Sequence, residues 1–232
     1  MARPVASSVR QAASVPRWQV TRDIIVAPEA AFRALKEKNS WMLAYFICVL
    51  GLLANNLITL TQNLGLTQSL LTQNNVPEAI RNWSMAGFWV GVWVMPFVLP
   101  LLSSFGYTAA LGFIAPFVEV RDGRFGRLYA VSLWAMVPAY LVGSIIRGIL
   151  SVLVGSDKGA LAVDLSLKAL LPPEAPRLLH SLGLTLDVFF LWTLILIAVG
   201  FSTVHKRPWK AGAVAAMILL AFRFAWVALT AQ

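Results

Sequence analysis

From Trp41 to the end of the chain, long apolar blocks alternate with short polar or charged punctuation. About 20 apolar residues cross a bilayer, and the chain holds four or five such blocks. The pattern predicts an all-α, polytopic integral membrane protein. The first block, Trp41 to about Leu60, opens with a Trp at the level of interfacial aromatic belts and carries Asn55 and Asn56 near its far end. An amide there must face protein or headgroups. The uncharged polar stretch that follows, Thr61 to Asn75, reads as a loop or an interfacial helix.

Residues 85–119 form a 35-residue apolar segment, about 52 Å as a helix against a hydrocarbon core of about 30 Å. It is either one kinked element or a tight hairpin of two spans. Pro96 and Pro100 would bend a helix, and Ser103 to Gly106 could break one. Charge arbitrates, because cytoplasmic loops collect Lys and Arg. With five spans at about 41–60, 97–119, 126–153, 179–203 and 209–230, thirteen basic residues fall on the amino-terminal side of the membrane and four on the other. That bias predicts five spans, a cytoplasmic N-terminus and an extracytoplasmic C-terminus. Residues 85–96 then become a kinked or re-entrant lead-in to the second span.

Ahead of the spans, the first 40 residues contain no apolar run long enough for a signal peptide, so no cleavage is expected. Residues 1–27 are rich in Ala, Ser, Pro and Arg and predict a disordered basic cytoplasmic tail. Between 28 and 40 the chain changes character. Pro28 suits the first helical position, Glu29 the positive first turn, and Arg33, Lys36 and Lys38 the last. Phe32 and Leu35 share one face, which predicts an amphipathic helix lying on the cytoplasmic membrane surface, with Lys36 toward anionic headgroups. Residues 41–230 form the membrane domain.

Composition narrows the function. Hydrophobic residues make up 59% of the 232-residue chain and charged ones 12%, with mean hydropathy +0.74. Soluble domains run nearer ~45–50% and ~25%, so soluble enzymes, DNA-binding proteins and secreted scaffolds are excluded. The net charge of +9 has a sufficient cause in loop topology, and no nucleic-acid partner is inferred. The single cysteine, Cys48, lies inside an apolar run, which leaves no intramolecular disulfide and no cysteine-based metal site. The sequence has no phosphate-binding glycine loop, no dinucleotide fingerprint, no HExxH and no CxxC. Its two histidines, His180 and His205, lie about 37 Å apart along a helix and predict no shared metal. No nucleophile and base pair suggests itself, so the protein is expected to be no enzyme and to need no cofactor.

The informative residues are ionisable groups inside spans, where insertion costs at least ~2.5–3.5 kcal/mol each. Counting from the cytoplasmic ends at 1.5 Å per residue puts Asp187 about 24 Å up, Arg223 about 21 Å and Arg147 about 31 Å. This predicts an Asp187–Arg223 pair between the fourth and fifth spans, with Arg147 higher and free to snorkel. Small-residue steps at Gly87/Gly91, Gly106/Ala110, Ser144/Gly148 and Gly212/Ala216 fit close helix packing.

A wider pattern joins these features. Pro28, Phe32, Leu35 and Trp41 stand ahead of the first span, and Asp122-Gly123-Arg124-Phe125 lies in the cytoplasmic loop between spans two and three. Pro138 follows in the third span, and Asp187, Trp192 and Gly200 in the fourth. This order resembles the bacterial branch of the Yip1 domain family over about 28–230. The resemblance implies a five-span all-α membrane domain with a cytoplasmic N-terminus, in a bacterial cytoplasmic membrane. Eukaryotic relatives are linked to vesicle trafficking and prenylated small GTPases, but this short tail lacks an acidic, Pro-rich segment, and GTPase binding is not carried over. The expected function is a non-catalytic membrane adaptor or organiser that contacts anionic headgroups, another membrane or peripheral protein, or both. The alternative is a transporter or lipid-handling channel with a polar site around Asp187. The oligomeric state is left unassigned.

Overall fold

The computed structural model describes residues 17–37, 41–118, 120, 124–154 and 163–230. These fold into α-helices, with short 3-10 turns at Ala115–Val118 and Leu167–Leu170 and no strand among the described residues. In chain order the helices are α1 (Arg17–Val26), α2 (Pro28–Glu37), α3 (Trp41–Ile58), α4 (Leu60–Gln73), α5 (Glu78–Trp93) and α6 (Met95–Ile114). After them come α7 (Phe125–Val137), α8 (Ser144–Val154), α9 (Arg177–Thr185), α10 (Val188–His205) and α11 (Trp209–Thr230). Five segments are long and apolar enough to cross a membrane: Trp41–Ile58, Met95–Val118, Phe125–Val154, Val188–His205 and Trp209–Thr230. Four match the predicted spans to within a few residues. The fourth is shorter than expected, because residues 179–185 belong to the separate helix α9 and the chain breaks before α10.

The third span is the axis of the bundle. Every residue from Ala130 to Val137 is buried because α3, α6 and α10 surround α7, which is why its sequence is apolar all round. Pro138 cannot donate to the preceding turn, and the helix widens into a π segment over Pro138–Gly143 before resuming as α8. Against that segment α3 approaches through Gly51, where a Cβ would lie 2.1 Å from the Tyr140 carbonyl oxygen. Gly212 brings α11 equally close to α10, 2.0 Å from the Ala198 carbonyl oxygen on the same measure. Only a residue without a side chain permits such backbone contact. Gly87, Gly91 and Gly106 meet nothing within 4 Å, so those predicted small-residue steps do not seat a neighbouring helix at the glycine.

The long apolar segment is one bent element. Val94 joins α5 to α6 in helical geometry, and no hairpin forms. Pro96 leaves the Val92 carbonyl without its helical donor, and the Asn56 side chain of α3 donates to it at 2.9 Å. That contact accounts for an amide inside a span. The polar stretch after the first span is helical as α4, and its Gln62 exchanges hydrogen bonds with Ser151 at 3.0 and 3.2 Å.

Two expectations at the amino-terminal end are corrected. Residues 1–16 lie outside the described residues, but 17–26, taken as part of a disordered tail, form α1. Val20 and Ile24, one turn apart, are buried in the common core, and that burial offsets the entropy of ordering. The helix α2 exists as predicted, yet Phe32 and Leu35 do not dip into headgroups. Phe32 is fully buried, its ring over Gly200 of α10, where a Cβ would come within 2.7 Å. The missing side chain at Gly200 makes a notch, and a ring seated there gains close packing that fluid lipid cannot match. The Lys36 side chain and residues 38–40 lie outside the described residues.

Candidate functional site

Asp187 sits where α10 begins. The chain leaves α9 at Thr185, runs extended through Asp187, and bridges to Ser166. The first turn of any helix presents N–H groups without helical partners, and Asp187 Oδ1 accepts two of them, from Phe189 at 3.0 Å and Phe190 at 2.9 Å. Its Oδ2 accepts from Arg147 Nη2 at 2.6 Å. The ion pair is therefore Arg147–Asp187 rather than Asp187–Arg223, and Arg147 is not free to snorkel. The depth count failed because depth alone does not say which side chain faces Asp187: Arg147 reaches it, whereas Arg223 is turned onto the Phe190 ring. An Asp immediately before an apolar helical run is itself an N-cap signature, the signal that would have placed it.

Arg223 of α11 stacks its guanidinium over the Phe190 ring, 3.8 Å from the centroid, an attraction of cation for ring face. The Tyr107 hydroxyl of α6 lines the same cavity as Arg223. Among the described residues no carboxylate lies within ion-pair distance of Arg223. Arg147, Asp187 and Arg223, predicted from sequence as one cluster, line a single cavity of about 460 Å³. Sequence reasoning missed the hydroxyls around it. Tyr140, in the π segment, shares a 2.8 Å hydrogen bond with Ser103 of α6, and Asn55, Tyr107, Ser144 and Thr193 complete the polar wall. Two guanidinium groups against one carboxylate leave this lining positive.

A second hollow, about 630 Å³, lies at the other end of α10, between α2 and the α10–α11 turn. Glu29 and Arg33, a helical turn apart, pair on its rim, and Lys206 and Arg207 face them. Lys206 turns the chain through a left-handed conformation, φ 53°. Of the predicted cytoplasmic loop, Asp122 and Gly123 lie outside the described residues, while Arg124 stands exposed at the start of α7. His180 belongs to α9 and His205 to the end of α10. Among the described residues no group of three His, Cys, Asp or Glu side chains could hold a metal ion.

A family model described as Yip1 domain matches residues 22–230. No curated protein and no solved structure gives a match. The match covers most of the chain, which belongs to the Yip1 domain family and is a multi-pass membrane protein.

Proposed function

We propose that this member of the Yip1 domain family is a non-catalytic adaptor or organiser of a bacterial cytoplasmic membrane, with its N-terminus in the cytoplasm and its C-terminus outside. The orientation rests on the thirteen-to-four distribution of basic residues. One observation carries the adaptor reading: Phe32, seated at Gly200, fixes α2 to the bundle and so holds Arg33 beside Lys206 and Arg207 around an open hollow. A rigid basic rim at the cytoplasmic face suits acidic segments of a peripheral protein or anionic headgroups. Affinity purification of the full chain from native membranes, with mass spectrometry of what accompanies it, tests this. A specific protein should co-purify with the wild type and be reduced at least tenfold by Lys206→Glu with Arg33→Glu. A wild-type preparation that carries no specific protein removes the adaptor reading. A second reading, lipid handling through a polar site around Asp187, is favoured by the cavity that contains Arg147, Asp187 and Arg223 between the spans.

A further inference from the structure

We propose that Arg223 is the centre of an anion-binding site in this cavity, and that its ligand carries a phosphate group with one net negative charge. The proposal deepens the lipid-handling reading and rests on it. Asp187 does not pair with Arg223: its Oδ2 is turned to the Arg147 guanidinium and its Oδ1 to two backbone N–H groups, and no ion pair to Arg223 forms among the described residues. The Phe190 ring covers one face of Arg223 but offers no lone pair to the five N–H donors around the guanidinium edge. The Tyr107 hydroxyl, which lines the same cavity, could accept at most part of that set.

A charge inside a span is costly without compensation, and the one carboxylate of the cavity is paired with Arg147. A cationic ligand would meet two guanidinium groups and a carboxylate already engaged. An anion would meet the edge of Arg223 together with the Ser144 hydroxyl and the Asn55 amide, both able to donate. The planar guanidinium matches paired phosphate oxygens. About 460 Å³ falls within the usual range for small-ligand sites, and Leu52 and Leu99 on its wall can accept an acyl chain. A lipid phosphodiester and a free phosphate share this chemistry.

The test uses the full chain in mild detergent. Native mass spectrometry reads lipid retained after exposure to phosphatidylglycerol or to phosphatidylcholine, which has no net charge, and thermal unfolding is followed with and without inorganic phosphate. The expected result is at least tenfold better retention of phosphatidylglycerol than of phosphatidylcholine, a preference lost in Arg223→Gln and partly kept in Arg223→Lys. Should Arg223→Gln not fold, the wild-type comparison of the two lipids decides alone. Stabilisation by inorganic phosphate without lipid preference supports the anion site and assigns it to the free ion. Equal retention of both lipids, with no response to phosphate, overturns the anion site and leaves lipid handling standing. Neither lipid bound and no response to phosphate overturns both.

Discussion

At its carboxyl-terminal end α10 receives an aromatic ring, and at its amino-terminal end it receives charges. Phe32 fills the notch at Gly200 so closely that an added Cβ on the glycine would overlap it and also Val131. The charged residues there, Glu29, Arg33, Lys206 and Arg207, stay on the rim of an open hollow. At the other end Asp187 is buried and paired with a half-buried Arg147, Arg223 lies close by, and a cavity remains between them. The difference follows from what each end of a helix offers. Free N–H groups at a helix start hold a carboxylate, which in turn recruits a guanidinium. An aliphatic or aromatic contact in mid-helix has no such groups to satisfy and closes by shape alone. At Gly200 the contact is closed and apolar and the charges stay outside it on the open hollow, while at Asp187 the charges themselves line the cavity.

The comparison breaks most readily at Phe32. Phe32→Ala empties the notch at Gly200 and should lower stability by about 3–5 kcal/mol, measured by thermal unfolding in detergent, with α1 and α2 becoming sensitive to protease. A loss below about 1 kcal/mol would mean the ring is not part of the core.

The Asp187 end should yield less, since hydrogen-bonded charge beside a cavity keeps some access to water. Asp187→Ala removes the helix cap, at about 1 kcal/mol, and leaves Arg147 unpaired, for a total of about 2–4 kcal/mol. Asp187→Asn keeps an acceptor for the amides of Phe189 and Phe190 and should lose less. The double change Asp187→Asn with Arg147→Gln should cost less than the sum of the singles, because neither charge is left alone. Strict additivity in that cycle would show that the two are uncoupled.

The smallest effect is expected away from both ends, at Asn56. Asn56→Leu leaves the Val92 carbonyl without a donor. Interhelical hydrogen bonds in membranes average about 0.6 kcal/mol and reach about 1.7, so a shift of that size in unfolding free energy is expected. A larger loss would make this contact a third structural lock rather than a local repair of Pro96.

The five apolar blocks, the absence of a motif for common chemistry and the presence of three ionisable residues near one end of the bundle were all determined by the sequence. Length and hydropathy act locally: a run of twenty apolar residues can satisfy its backbone in a bilayer only as a helix. Register between helices is a different matter. Whether Asp187 pairs with Arg223 or Arg147 depends on where α10 starts, and the start is set by a chain reversal through α9 that brings Asp187 against Ser166. The destination of α2 likewise hung on a neighbour. Its apolar stripe would serve equally well on lipid or on protein, and the notch at Gly200, some 170 residues away, turned it inward. Gly51 looks like any glycine in a membrane helix until α3 lies against the π segment that Pro138 opens. Such pairings are set by the whole packed arrangement, because side chains brought together by folding compete for the same partners and the tightest complete set wins.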